Sequence, residues 1–288
     1  MDAKQLQELM QGKIDDMPHK AHRVVAYLLS NMREASFRSI GEVADELRVS
    51  KAQLVRVARM LGFTGYAELK DALQSAILDQ VNPAAMLVKS RDGEENLPHT
   101  ILRMEHANLE DTWAQLDGDK SAQFCTMVQG AQTVYCVGWG ISSLVAEHLF
   151  MRLRVMGVNG FLLKRGSLTL TEQVRAVRPE DLMVVCELPS YVVEVTESIR
   201  DCADRGVPVI SLTDSPAAPT CRFASLHLFA SAGSPTFGSS IVGPLFLVNV
   251  LTSLLALSLG DAAHQAMEAQ ATFLHDTRIF HPIFGLKY

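Results

Sequence analysis

Arg48, Lys51, Arg56 and Arg59 fall within one short stretch that holds no acidic residue. Cationic groups gathered in this way can neutralise phosphates, and an arginine can also grip the edge of guanine with two parallel hydrogen bonds. Gln53 stands among them, and a carboxamide can read adenine in the same fashion. A second constellation lies farther on. Gly138-Trp139-Gly140-Ile141-Ser142-Ser143 follows the β-rich run TVYCVG and opens a helical stretch. Glycines there permit a tight turn and close backbone approach, and a helix N-terminus offers free N–H groups to an anion. The motif lacks the third glycine of a dinucleotide fingerprint, and a plain strand-to-helix turn would use the same residues. Three more segments, Glu187–Tyr191, Thr213–Ser215 and Ser231–Ser240, each follow an apolar run, where ligands gather in parallel sheets. Ser142, Ser143, Ser190, Tyr191 and one of Ser239 and Ser240 are the hydroxyls that would line a common pocket. Hydroxyls and amides suit a sugar or sugar phosphate, although any one of these serines reads equally as turn chemistry.

These residues need elements to hold them. Residues 1–80 show helical periodicity throughout and no strand. Leu6, Leu9, Met10 and Ile14 form one stripe. Val24, Val25, Leu28 and Leu29 form another, in a helix opened by Pro18. Ser39 and Glu42 have capping-box spacing ahead of Ile40–Leu47, and Ser50 and Gln53 repeat it ahead of a helix that Gly62 ends. Arg48–Val49 is the turn between them. On a wheel of about 100° per residue, Leu54, Val57, Ala58 and Leu61 cluster on one side, with Ala52, Gln53, Arg56, Arg59 and Met60 on the other. The first set can pack; the second can face a major groove. Residues near the N-terminus of such a helix reach base edges, which singles out Ala52, Gln53 and Arg56, with Ser50, Lys51 and Arg59 toward phosphates. Gln53 has a second reading, as a cap on the Ser50 backbone.

A polar stretch, SRDGEEN, reads as a linker. Long helices then follow over Pro98–Leu116 and Asp119–Gln129. From Thr133 onward, TVYCVG, GFLLK, LMVVCEL, VPVISLT and SLHLFA alternate with helical segments, the pattern of a parallel sheet covered by helices. Val242–Leu257 is apolar all round, so burial is expected. The aromatic tail TRIFHPIFGLKY reads as a docking segment.

Composition narrows the functions further. With 288 residues, 48% hydrophobic and 20% charged, the chain is globular and has room for two domains. Basic and acidic residues balance in residues 1–80, so the net charge of −6 falls on the remainder. A local basic face on a neutral domain still meets phosphate. The five cysteines are odd in number and form no CxxC, and no Cys/His spacing suits zinc. They read as buried reduced thiols in a cytoplasmic protein, with no metal and no cofactor. The N-terminus has no signal-peptide core. Ile241–Leu259 approaches the length of a membrane span, but Pro244, Asn249, Thr252 and Ser253 interrupt it. It reads as a core or dimer helix, with no membrane partner.

The segment VADELRVSKAQLVRVARMLGFTGYAELKDAL resembles the N-terminal domain of RpiR-type bacterial transcription regulators. The resemblance is carried by VS at 49–50, VR at 55–56, LGF at 61–63, GY at 65–66 and ELK at 68–70. Met60 departs from it, standing where the family often has Lys or Arg. The resemblance implies backbone contacts from Tyr66 and Lys70, and Tyr66 reads equally as a packing residue. VYCVGWGISS, VVEVTESI, VPVISLTDSP and the closing apolar helix are similar to the sugar-isomerase (SIS) domain, over about residues 120–260. That domain usually carries a Ser/Gly/Thr-rich phosphate loop after its third strand. Here CELPSYVVEVTE replaces it, with Glu187 near a common serine and Val192 at a common hydroxyl. A carboxylate repels phosphate, so the effector lacks a phosphate, or brings an amine or hydroxyl to Glu187, or Glu187 faces solvent.

The expected fold is thus an all-α N-terminal helix-turn-helix domain (1–80), a linker and connecting helix (81–118), and an α/β SIS-like domain with parallel sheet flanked by helices (119–288). The expected function is a DNA-binding regulator, not an enzyme, with no catalytic residue. Its partners are double-stranded DNA and a small effector sensed at Gly138, Gly140, Ser142, Ser143, Glu187, Ser190, Tyr191, Ser239 and Ser240, in a homodimer or homotetramer. Two other classes compete. A sugar-phosphate isomerase or deaminase would draw its acid and base from Glu147, His148, Glu187 and His227, no two of which form a recognisable pair. A sugar-sensing adaptor would bind protein in place of DNA.

Overall fold

A computed structural model describes residues 3–14, 17–81 and 96–277; the stretch 82–95 and the tail from 278 lie outside them. The chain divides into two compact units, one of residues up to Met104 together with the short segments Ser215–Pro219 and Ser234–Ser239, the other of Glu105–Asp214, Thr220–Gly233 and the residues from Ser240.

The first unit is helical: α1 (Ala3–Ile14), α2 (His19–Ser30), α3 (Met32–Phe37), α4 (Ile40–Leu47), α5 (Lys51–Met60) and α6 (Tyr66–Val81). The apolar stripes of the sequence make its core, with Leu6, Met10, Val24, Leu28, Leu54, Leu69 and Leu73 all fully buried. The short α3 has no counterpart in the sequence reading. Ser39 accepts the Glu42 N–H at 3.2 Å while the Glu42 carboxylate accepts the Ser39 N–H at 2.6 Å, a complete capping box at the start of α4. Replacing Ser39 by alanine should cost about 1 kcal/mol. Hydrogen exchange at the α4 amides of the full chain reads that loss; unchanged protection would show the cap to be idle.

After the first unit's helices, α7 (Leu97–Ala114) and α8 (Gly118–Gly130) lead into five strands: β1 (Val134–Gly138), β2 (Gly160–Leu163), β3 (Leu182–Glu187), β4 (Val209–Thr213) and β5 (Leu226–Phe229). All pair in parallel, in the order β2-β1-β3-β4-β5. The crossovers are α9 (Ser142–Val155), α10 (Leu170–Val174), α11 (Val193–Asp204) and a short 3-10 turn, Pro219–Arg222; α12 (Val242–Leu259) and α13 (Asp261–Asp276) close the chain. One core lies between the sheet and α8, α9 and α12, where Phe124, Leu149, Val184, Leu247 and Leu251 meet. The other lies on the opposite face, where Val185, Val195 and Ile199 meet Leu170 and Val174. β3 and β4 are buried at every residue, as strands covered on both faces should be, whereas β5 at the edge alternates.

The expectation for the last apolar helix needs correcting. α12 has a mean hydropathy of 2.0 over its 18 residues, yet only 39% of it is buried. Leu247, Val248, Leu251 and Leu255 enter the core, while Leu254 and Leu257 are exposed at 40% and 80%. Four of the cysteines are buried and Cys221 is partly so, all as free thiols.

Candidate nucleic-acid interface and effector site

α4 and α5 are held by more than their own caps. Arg48 takes a left-handed conformation, φ 50°, and its N–H closes α4 onto the Ala44 and Asp45 carbonyls. The Arg23 guanidinium donates to the Leu47 carbonyl, and Lys13 donates to the Leu61 carbonyl at 2.9 Å. Two lysine and arginine side chains from earlier helices thus satisfy the C-terminal carbonyls that α4 and α5 would otherwise leave unpaired. At the other end of α5, Ser50 accepts the Gln53 N–H at 3.2 Å. The expected second capping box is only half made: among the described residues the Gln53 carboxamide does not return a bond to Ser50.

The two faces of α5 separate as the wheel requires. Leu54, Val57 and Ala58 are buried; Ser50, Lys51, Ala52, Arg56 and Arg59 are exposed, and Gln53 and Met60 are partly so. Lys51 runs beside Gly41 of α4. The Arg59 Nε donates to the Thr64 carbonyl at 3.2 Å, which orients its guanidinium along the turn after α5. Gly62 makes that turn with φ 102°, and the Phe63 N–H closes on the Ala58 carbonyl. Lys70 is half-buried. Tyr66 is not at the surface: it is 5% exposed, its hydroxyl has no partner among the described residues, and burial together with the nearby Tyr27 pushes it up to about 12. Burial places Tyr66 in the helical core, the position of the packing reading.

In the α/β unit, the Gly138 position admits no side chain, since a Cβ there would sit 2.4 Å from the Ser142 carbonyl oxygen. Gly140 has φ 53°. The turn they make uses up the donors it was expected to offer. The N–H groups of Ser142, Ser143 and Leu144 bond to the carbonyls of Trp139, Gly140 and Ile141. The Ser143 hydroxyl donates to the Gly140 carbonyl at 2.7 Å, and the Ser142 hydroxyl, buried, accepts the Leu188 N–H at 3.0 Å. These serines tie the β1 turn together and join it to the segment after β3. The expectation of free N–H groups at this helix start is thus overturned by bonds within the turn.

The β3 and β4 ends hold the charged chemistry. Glu187 is 4% exposed, which corrects the solvent-facing alternative. Its Oε2 accepts the Thr220 hydroxyl at 2.7 Å and the Thr220 N–H at 3.4 Å; Oε1 has no partner among the described residues. Burial raises its carboxyl to about 7 against the Thr220 bonds, with Asp214 pushing the same way and the Val192 N–H opposing. Tyr191 donates to Asp214 at 3.0 Å. Ser190 is exposed, in a left-handed conformation with φ 85°. Ser142, Glu187 and Tyr191 therefore lie at one end of the sheet, as the sequence implied.

Ser240 goes elsewhere. Its hydroxyl donates to Glu105 of α7 at 2.6 Å and accepts the Val242 N–H at 3.1 Å, while Ser239 beside it is half-buried. Glu105 belongs to a polar stripe on α7 that the sequence reading missed. Asn108, 1% exposed, donates to the Gly233 carbonyl at 2.8 Å and to Glu105 at 2.9 Å, and accepts from the Ser231 hydroxyl at 3.0 Å and the Gly233 N–H at 2.9 Å. Thr112 accepts the Ser231 N–H at 3.0 Å. The signal was present as spacing, because Glu105, Asn108 and Thr112 recur at three and four residues, one helical face.

The acid–base candidates for an isomerase do not converge. Glu147 pairs with Lys164 at 2.7 Å, His148 bonds Asn249 at 2.8 Å, and His227 lies on the edge strand against Phe229. No group of three His, Cys, Asp or Glu among the described residues could hold a metal ion.

Comparison with known proteins agrees with both halves. Residues 4–80 match the helix-turn-helix domain of the rpiR family, and residues 127–254 match the SIS domain. An uncharacterized HTH-type transcriptional regulator of Clostridium perfringens is 23% identical over 265 residues, 88% of this chain and 93% of its own length. The HTH-type regulator YfhH of Escherichia coli K12 is 25% identical over 82% of this chain and 85% of its own length. Among solved structures, the sugar isomerase domain of an RpiR transcription factor from Sphaerobacter thermophilus covers 61% of this chain and 98% of its own, with 28% identity and a TM-score of 0.59. The Vibrio vulnificus NanR protein, complexed with ManNAc-6P, covers 94% of this chain and 98% of its own, with 24% identity and a TM-score of 0.63.

Proposed function

We infer that this chain, an RpiR-type transcriptional regulator with a helix-turn-helix domain ahead of a SIS domain, reads DNA through α5 and senses a sugar-derived metabolite at the carboxyl ends of β1, β3 and β4. The observation that carries the DNA half is the sorting of α5: Leu54, Val57 and Ala58 are buried while Ala52, Arg56 and Arg59 stay exposed. Ala52, Gln53 and Arg56 face bases, and Ser50, Lys51, Arg59 and Lys70 face the backbone. Arg56→Ala should weaken operator binding by about 1–3 kcal/mol and relax preference at one base position. An unchanged footprint and affinity would remove Arg56 from the reading set.

The sensing half rests on the polar side chains gathered at the carboxyl ends of the strands, Ser142, Glu187 and Tyr191 among them, and on the bound sugar phosphate of NanR, a relative in fold. The protein acts by binding and not by turnover, because its candidate acids and bases are dispersed, and it works in the cytoplasm, where its DNA is. It pairs through the SIS half. Leu144, Met151 and Val155 of α9, Leu254 and Leu257 of α12, and Met267 and Phe273 of α13 are exposed on helices that pack on one another. Exposed apolar surface of this kind marks an association face. Two copies then present two α5 helices to a pseudo-palindromic site, as a homodimer or as half of a homotetramer. Sedimentation of the purified chain tests this: a monomer at micromolar concentration rules it out.

A further inference from the structure

We propose that Glu187 is the specificity-determining residue of the effector site, an internal carboxylate that closes the start of α11 to phosphoryl groups and reserves that corner for a hydrogen-bond donor of an unphosphorylated sugar. The proposal rests on the sensor reading above and narrows its ligand class.

A helix start next to a strand end ordinarily attracts anions, through its N–H groups and its dipole. The start of α11 is made differently. Its N-cap is Val192, which supplies no side-chain cap. Negative charge is already supplied from within the protein. The Val192 N–H favours the ionised Glu187 carboxyl, whose Oε2 is held by the Thr220 hydroxyl at 2.7 Å. Asp214, at the end of the neighbouring strand, adds like charge, and Glu194 stands in the first turn of α11, its carboxylate accepting the Leu170 N–H at 3.0 Å. A phosphate brought here would meet carboxylates in a site with little water, where like charges repel strongly. What the corner lacks is the opposite partner. Glu187 is 4% exposed, and its Oε1 is a buried acceptor that makes no hydrogen bond of ordinary geometry among the described residues, the nearby Val192 N–H pulling on the carboxyl without closing one. Such an atom calls for an O–H or an N–H of a ligand. A hydroxyl or an ammonium of an unphosphorylated or amino sugar supplies one; a phosphate dianion supplies none.

The side chain reaches this place because of the pleat. Cys186 and Leu188 point into the core beneath α9 and α12, so Glu187 between them turns to the other face, with Val185. The segment that follows, Pro189-Ser190, bends through the left-handed Ser190 and leads into α11 over that carboxyl.

The test uses full-length wild type, Glu187→Ser and Glu187→Gln at pH 8. Thermal shift and titration calorimetry compare inorganic phosphate with chloride at equal ionic strength. Wild type should show no phosphate-specific stabilisation. Glu187→Ser should gain phosphate binding at least about tenfold tighter than wild type, and Glu187→Gln, which keeps the volume but loses the charge, a smaller gain in the same direction. Phosphate binding by wild type as tight as by the variants, or no gain in either variant, overturns the proposal; the isosteric Gln variant decides the matter if the Ser variant does not fold. A separate panel of matched sugars, amino sugars and their 6-phosphates on wild type, read by operator release, tests the sensor reading. Release by an unphosphorylated member and not by its phosphate supports both. Release by a 6-phosphate alone keeps the sensor and overturns the exclusion. A panel without any response, alongside the expected phosphate gain in the variants, removes the sugar reading and leaves the exclusion standing.

Discussion

Asn108→Ala is expected to destabilise the α/β unit by about 3 kcal/mol, since each buried group stripped of its partner costs about 1–3 kcal/mol and more than one is stripped. The carboxamide is used to capacity: both amide hydrogens and both lone pairs of Oδ1 are engaged, to Gly233, Glu105 and Ser231. Alanine removes all four bonds at a site that is 1% exposed. Asn108→Asp is a sharper probe. It keeps the acceptor and the shape but loses the two donors, and it sets a second carboxylate against Glu105, so it should be at least as damaging above neutral pH and less so in acid. The same bonds tie α7, the helix that enters the α/β unit, to the segment after β5, one of the strand-end segments where an effector would bind. Asn108→Ala protein that still folds at low temperature should therefore bind its operator but respond less to effector. Urea unfolding measures the first effect and effector-dependent operator release the second. A loss below 1 kcal/mol with a full response would show the stripe to be ornament.

How much of this was readable beforehand depends on whether a residue's role is set by its neighbours in sequence or in space. The strands β3 and β4 were plain because both of their faces are covered, which forces unbroken apolar runs. The turn and the cap of α4 were plain because their partners are three residues apart in sequence, while at α5 only half of the expected capping box is made. The all-round apolarity of α12 was read as burial, but hydropathy cannot tell a face against a sheet from a face such as that of Leu254 and Leu257, left exposed. Asn108 and Thr112 drew no reading from the sequence, because the partners that bury them are more than a hundred residues away along the chain. The serines of the β1 turn were read from type and from their place between strand and helix, with turn chemistry as an equal reading, and neither says that Ser142 is already committed to Leu188. Spacing put these residues at the strand ends, where the structure has them; only the pleat and the register show which of their side chains are already committed to partners within the protein.

Glu187 should make the stability of the α/β unit fall as pH rises from about 4.5 to about 7, by roughly 3 kcal/mol in all. The cause is burial first, which penalises the charged form; Asp214 adds to it, and the Thr220 bonds and the Val192 N–H subtract. Cys221 also lies near enough for its thiol to feel the Glu187 charge. Below pH 4.5 the carboxyl is protonated in both the folded and the unfolded chain, so the native state carries no penalty. As pH climbs, the unfolded chain releases its proton first while the folded one retains it, so the unfolded state binds fewer protons and is progressively favoured. Above about 7 both are ionised and the whole difference is lost. Glu187→Gln is neutral throughout and close in volume. It should match wild type near pH 4.5 and exceed it by roughly 3 kcal/mol at pH 8. Other groups titrate over the same range, so the informative quantity is the difference between the two proteins, measured by urea unfolding at pH 4.5, 6 and 8. A difference that does not change with pH would mean that Glu187 ionises as freely in the folded chain as in the unfolded one, and that its carboxyl is not held away from water. Effector should act on the same difference. A ligand that donates to Oε1 favours the charged carboxyl, lowers its pKa and narrows the gap between wild type and Glu187→Gln at pH 8, beyond any stabilisation common to both.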